Sequence, residues 1–347
     1  MNAMVLEKVG TPLRLRDLPM PIPATNEVLI RVHACGVCRT DLHLYDGDLP
    51  TQKLPLILGH QIVGTIVAQG AGVTEARVGD RVGVPWLGGV CGACVDCIDE
   101  RENLCGSARY TGCHIDGGYA EYTVANPAFC FPLPANYSNV EAAPLLCAGL
   151  IGLRALRMAG EGRRIGLYGF GASAHIVAQI VVQRGGKVYA FTRANDMASQ
   201  AFARDIGAVW AGNAEASPPT PLDAAIIFAP VGALVPIALA AVAPGGTVVC
   251  AGIHMSDIPS FPYRLLWGER TIRSVANLTR QDGRDFFDLA SRVPFRIVTE
   301  SIPLAAANEA LLRLQQGRLQ GAAVLVMDDA AETLSLPFKG RVGEGMG

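Results

Sequence analysis

The stretch CGACVDCIDERENLC concentrates four thiols, Cys91, Cys94, Cys97 and Cys105. Spacings of three, three and eight residues let the sulfurs fold around one tetrahedral zinc, with Gly92 easing the sharp turn between the first two ligands. The opening MNAMVLEKVG has no basic start, long apolar core or small-residue cleavage site. The expected setting is therefore a reducing cytoplasm, where clustered cysteines hold metal more often than disulfides. A zinc enclosed by four thiolates has no open position for a substrate, so this site pins a loop and the chemistry lies elsewhere.

Two other patterns carry chemistry. HACGVCRTDLHLYDG, LGHQIVG and PLLCAG contribute Cys38, His60 and Cys147, two thiolates and one imidazole, the kind of set that leaves a fourth position of a catalytic zinc open. In GLYGFGASAH, Gly169, Gly171 and Ala174 fit G-x-G-x-x-G/A between an apolar strand and a helix. Such a turn brings backbone amides and a helix N-terminus against a pyrophosphate; three small residues in an ordinary strand-to-helix turn are the duller alternative. At the end of the next strand an NAD site places an acidic residue on the ribose, whereas YAFTR has Thr192 followed by Arg193. Loss of a carboxylate and gain of a guanidinium favour a 2'-phosphate, so NADP(H) is expected over NAD(H).

The elements that must position these residues change character along the chain. To about residue 150, short β-branched runs such as EVLIRVHACGV and IVGTIVAQG alternate with Gly and Pro, a pattern of strands joined by turns. From 151 to about 285, apolar strands (RIGLYGF, KVYAFTR, DAAIIFAP, TVVCAGI) alternate with Ala-rich helical stretches, the mark of a doubly wound parallel sheet. SIPLAAANEALLRLQQGRLQGAAVLVM reads as a helix followed by a strand, and the Gly-rich residues 331–347 as a mobile tail. The 347 residues, 50% hydrophobic, suffice for about two domains. A formal charge of -2 gives no electrostatic reason to expect nucleic acid or an anionic membrane as partner. The uncharged run AAIIFAPVGALVPIALAAVA matches a membrane span in length, but Pro230, Gly232 and Pro236 divide it into a strand, a turn and a short helix.

Taken in order, EVLIRVHACGVCRTDLH, LPLILGHQIVGTIVAQGAGV, VGDRVGVPWLGGVCGACVDC, DGGYAEYTV, EAAPLLCAGL, the nucleotide turn and PGGTVVCAGI resemble a zinc-dependent alcohol dehydrogenase of the medium-chain dehydrogenase/reductase family over nearly the whole chain. The resemblance implies an α/β fold: a β-rich GroES-like catalytic domain (1–150, with a structural zinc loop at 88–106), interrupted by a Rossmann domain (151–285) and completed by 286–330. It implies two zinc ions per chain, one held by Cys38, His60 and Cys147 and one by Cys91, Cys94, Cys97 and Cys105. Thr40 then contacts the substrate oxygen and passes its proton toward His43, Asp41 orients His60, Arg39 meets a cofactor phosphate, and Trp86 lines the substrate pocket. The implied reaction is hydride transfer between a primary alcohol or aldehyde and the nicotinamide, with zinc polarising the substrate oxygen. Family habit also implies a homodimer or homotetramer. Three positions depart from the family pattern: Gln61 for the usual Glu, Ile151 for a frequent Thr, and Ala322 for an Arg in some relatives. The competing readings are a zinc-free enone or quinone reductase of the same superfamily and a non-catalytic nicotinamide sensor.

Overall fold

A computed structural model describes residues 1–49, 53–319 and 321–327; the expected tail at 331–347 lies outside them. One sheet is six-stranded and wholly parallel, in the order Trp210–Asn213, Lys187–Thr192, Arg164–Tyr168, Leu222–Ile227, Val242–Cys250, Thr271–Ser274. That is the 3-2-1-4-5-6 order of a dinucleotide-binding sheet, whose chain reversal leaves a crevice beyond the carboxyl ends of the two central strands. Apolar residues alternate between its faces. Ile165, Leu167, Val188, Ala190, Ala224 and Ile226 join the core beneath helices Leu150–Ala159 and Ala172–Gln183. Tyr168, Tyr189, Phe191, Ala225 and Ile227 pack on the opposite side with helix Leu234–Ala241. Burial on both faces explains why these strands read as continuous apolar runs.

On that second face the connection from Trp210–Asn213 to Leu222–Ile227 contains no helix; it is the Pro-rich stretch 214–221. A crossover between parallel strands usually supplies helical side chains to cover the sheet. Here aromatic rings occupy that face: Tyr168 stacks on Phe191 at 4.1 Å, and Phe191 meets Trp210 at 4.9 Å. The uncharged run after Ala224 is part of this sheet layer, strand Leu222–Ile227 followed by helix Leu234–Ala241. A different segment, Asn139–Ala159, is long and apolar enough to cross a membrane, but 72% of its most apolar window is buried inside the fold.

The other large sheet is built around the long strand Val28–Val37, which pairs antiparallel with Ile62–Gln69, Tyr122–Ala125 and Ala322–Val326. Strand Thr299–Pro303 pairs parallel to Ala322–Val326, so segments on both sides of the parallel sheet in the sequence contribute to this one. The strand in Thr299–Pro303 is a finding beyond the helix-then-strand expectation. Its five residues carry no clean alternation of burial, so pattern alone does not separate them from the following helix, Ala307–Gln315.

Between the sheets runs Asn139–Ala159, started by a capping box in which Ser138 and Glu141 bond reciprocally. Pro144 removes one amide donor from its ladder, and the next residues, Leu145–Gly149, widen into a π-helical turn before α-helix resumes at Leu150. Asp282 ties this run to helix Arg280–Arg292: its carboxylate accepts from Arg154 Nη1 at 2.5 Å and Arg157 Nη1 at 3.1 Å.

Candidate active site and metal centres

Cys38 ends the long strand and caps helix Arg39–Asp46, an arrangement that puts Thr40, Asp41 and His43 on the first turns. Asp41, fully buried, accepts from the Cys38 amide at 2.8 Å through Oδ2 and faces His60 Nδ1 at 3.2 Å through Oδ1. This second contact places the imidazole proton on Nδ1 and leaves Nε2 facing Cys38 Sγ at 3.2 Å. His60 itself follows Gly59, whose φ of 98° is left-handed and whose backbone passes too close to Tyr119 for any side chain. Cys147 arrives from the π-helical turn, and the three ligand atoms of Cys38, His60 and Cys147 lie within 4.8 Å of one another. π-turns recur at functional sites because they push a side chain out of the regular helical register.

The electrostatics fit a cation. A hydrogen bond from Cys147 holds the Cys38 thiol well below its ordinary range despite burial, with His60 and Thr40 adding to the effect, while Cys147 is pushed up. Burial opposes charge on His60, but the Cys38 and Asp41 charges outweigh it and lift its pKa to about 10. Protons therefore balance an excess of negative donors, a role that a divalent metal takes over on binding.

The loop cluster is assembled differently. Cys105 Sγ is 3.5 Å and Cys97 Sγ 3.9 Å from Cys91 Sγ, near the ~3.8 Å edge of a tetrahedron with Zn–S bonds of about 2.3 Å. All four sulfurs, Cys94 included, lie within 4.8 Å of one another, and Gly92 is left-handed at φ 73°. The amides of Ala93 and Cys94 draw the Cys91 thiol down to about 6. Buried Glu102 accepts from the amide and Nε of Arg280 at 2.9 and 3.0 Å, and Asn103 donates to Ala276 O at 2.7 Å, which anchors the lobe.

At the nucleotide turn Gly169 has φ 87°, and its amide donates to Phe191 O at 2.8 Å. Gly171 caps helix Ala172–Gln183, and a Cβ built on it meets nothing within 4 Å. That open space before a helix N-terminus suits a phosphate. Ala174 is fully buried. Thr192 is also buried; its hydroxyl lies 3.1 Å from Arg193 O as donor and accepts from Gln200 Nε2 at 3.1 Å, so it faces inward. Arg193 is exposed and its guanidinium has no hydrogen-bond or ion-pair partner among the described residues.

The family described as alcohol dehydrogenase GroES-like domain matches residues 24–135. "Probable alcohol dehydrogenase AdhA" of Mycobacterium tuberculosis (strain CDC 1551 / Oshkosh) is 48% identical over 324 residues, covering 91% of this chain and 93% of the relative. An alcohol dehydrogenase of Geobacillus stearothermophilus is 34% identical, covering 95% of this chain and all of the relative (100%). The crystal structure of a thermostable alcohol dehydrogenase from Pyrobaculum aerophilum superposes with a TM-score of 0.86 at 25% identity, over 94% of this chain and 99% of that one. The chain belongs to the zinc-dependent alcohol dehydrogenases of the medium-chain dehydrogenase/reductase family. The zinc-free reductase and the silent sensor are not favoured.

Around the metal corner of this dehydrogenase the aromatic residues form a run. Trp86, nearly buried, meets the His60 ring edge-on at 5.0 Å and stacks on Tyr110 at 5.1 Å; Tyr110 in turn lies 5.3 Å from His114. The pairing of Leu87–Gly89 with Arg109–Tyr110 holds this stack, which links residues that no sequence spacing connects. The departures from the family pattern have structural settings too. Gln61 is buried with its side chain against Gly36, filling the room that a side chain there would need. Ile151 packs beside the core, and Ala322 is buried in its strand. Arg39 is exposed on the first turn of its helix. His43 Nδ1 is 2.9 Å from Asp48 Oδ2 and its ring 5.2 Å from that of His254, a neighbour 211 residues away that no spacing or motif reveals.

Proposed function

We propose that this alcohol dehydrogenase interconverts primary alcohols and aldehydes with NADP(H) as preferred cofactor, using one zinc in the corner of Cys38, His60 and Cys147 and a second in the loop of Cys91, Cys94, Cys97 and Cys105. The observation that carries the reading is the convergence of three donor atoms within 4.8 Å beside Thr40, at the start of the helix that also carries His43. When bound, zinc at that corner acts as a Lewis acid on the substrate oxygen. Asp41 orients the His60 ring through Nδ1. Thr40 Oγ1 takes up the alcohol proton and passes its own on, and His43 Nε2 receives it, since Nδ1 is engaged by Asp48. Trp86 and its stack give the alcohol a flat apolar wall that excludes water.

On the cofactor side, the turn of Gly169, Gly171 and Ala174 receives the pyrophosphate and Arg39 pairs with a phosphate oxygen. Thr192 offers no carboxylate, and its inward hydroxyl leaves the ribose edge free of negative charge; the unpaired Arg193 guanidinium then takes the 2'-phosphate. A cytoplasmic homodimer or homotetramer, with domain boundaries near residues 150 and 285, belongs to the same proposal. The first boundary falls inside the run Asn139–Ala159, which touches both halves.

The test is the ratio of kcat/KM for NADPH over NADH on zinc-replete enzyme, across aldehydes from acetaldehyde to benzaldehyde. A ratio above about 10 that falls at least about tenfold in Arg193→Ala supports the reading. A tenfold preference for NADH overturns the cofactor assignment while leaving the dehydrogenase in place.

A further inference from the structure

His254 lies in the segment after strand Val242–Cys250, on the nucleotide side of the molecule, yet its ring packs against His43 of the metal-side helix at 5.2 Å and 52°. The backbone around it is held by the parallel sheet. Ala251 donates to Ile227 O at 2.8 Å and Ser256 to Pro230 O at 3.3 Å, while the Gly232 amide donates to Ser256 Oγ at 2.9 Å. A side chain at Gly232 would begin 2.2 Å from Asp257 O, so the two loops touch through bare backbone. The segment that carries the exposed His254 is thus fastened through Ala251 and Ser256 to strand Leu222–Ile227 and the loop after it, while the His254 ring rests on a helix of the other half.

His43 needs such a neighbour. Its Nδ1 contact with Asp48 at 2.9 Å holds one edge of the ring, and Asp48 is partly exposed, at 43% of its side-chain surface. A single exposed contact restrains tilt poorly, whereas a ring packed against the imidazole limits its rotation. Among the described residues, the charged or titratable groups on the elements packed around His43 are Asp48 beyond its helix, Arg39, Tyr45 and Asp46 on that helix, Glu309 and Arg313 on helix Ala307–Gln315 beside it, and His254 from the nucleotide side.

We infer that His254 is a positioning residue for proton release: by ring packing it keeps His43 Nε2 aimed toward Thr40, and because its loop is fastened to the nucleotide sheet it couples that aim to the closeness of the two halves. The inference rests on His43 being the end of the proton path. Packing is the operative contact, so a different flat ring can replace it.

The experiment measures kcat for alcohol oxidation from pH 6 to 9, with KM for the nicotinamide cofactor, in wild type, His254→Ala, His254→Phe and His43→Gln. Loss of the ring lowers kcat about fivefold in His254→Ala, with cofactor KM within about twofold; His254→Phe returns kcat to within about twofold of wild type. His254→Ala indistinguishable from wild type, His254→Phe no better than His254→Ala, or a loss confined to KM overturns the inference. His43→Gln separates the two levels. If its kcat matches wild type across the range, the proton-path reading itself falls; if it lowers kcat while His254→Ala matches wild type, only the role of His254 falls.

Discussion

The loop cluster takes all four of its sulfurs from one lobe, with Cys91 exposed and Cys94 and Cys97 half-buried, whereas the corner gathers a helix cap, a residue after a left-handed glycine and a π-turn, with His60 and Asp41 fully buried. The first needs only local backbone to form, and its four thiolates close the coordination shell. The second exists only once three distant segments have packed, and in the proposed reading its three donors leave a fourth position for the substrate oxygen. Local and closed goes with anchoring; dispersed and open goes with reaction.

The largest test of that contrast is Cys147→Ala. It should lower kcat by at least about 10³-fold while elemental analysis shows one zinc per chain in place of two. Activity within tenfold of wild type would mean that the corner is not where the reaction occurs. Cys94→Ser should do the reverse: stability falls by about 3 kcal/mol by urea unfolding, read with and without added zinc, while kcat of the folded fraction stays within about threefold. A loss of turnover as deep as that of Cys147→Ala, at unchanged stability, would erase the distinction.

The smallest effect separates acid-induced loss of metal from acid sensitivity of the fold. His175, after the nucleotide turn, is buried, its Nε2 has no hydrogen-bond partner, and burial, helped by Arg296, lowers its pKa to about 4 against a bond from Nδ1 to Gly171 O. The unfolded chain takes up this proton near pH 6.5, before the fold does. Stability from this residue is therefore complete above about pH 6.5 and declines as pH falls toward 4. Between pH 7 and 5 the decline amounts to about 2 kcal/mol, and His175→Gln should remove it from urea midpoints. An unchanged pH slope in that variant would assign the acid sensitivity to the metal clusters.

The same contrast governs what the amino-acid order revealed. The loop ligands were legible from spacing alone, because Cys91 through Cys105 is a local arrangement. The parallel sheet was legible because Ile165, Leu167, Val188 and Ile226 on one face and Tyr168, Phe191 and Ile227 on the other are all buried. Cys38, His60 and Cys147 are grouped by donor type, and their assignment to one ion comes from resemblance to a known family, since nothing in their separations brings them together. The π-turn under Cys147, strand Thr299–Pro303, the stack of Trp86 on Tyr110 and the contact of His254 with His43 had no signature, because each depends on which partner the finished fold supplies.

The pairing of Val28–Val37 with Ala322–Val326 across the intervening parallel sheet has a consequence for synthesis. The Leu13 amide bonds Asn308 Oδ1, 295 residues further along, and Val28–Val37 waits for Ala322–Val326 as its partner. At a ribosomal rate of ~10 residues per second, that edge stays unpaired for on the order of half a minute after its own residues emerge. The parallel sheet, whose strands all lie between Arg164 and Ser274, can close before then. The nascent chain can thus complete its nucleotide-binding half first, whereas the strand leading to Cys38 becomes fully paired only after Val326 has emerged.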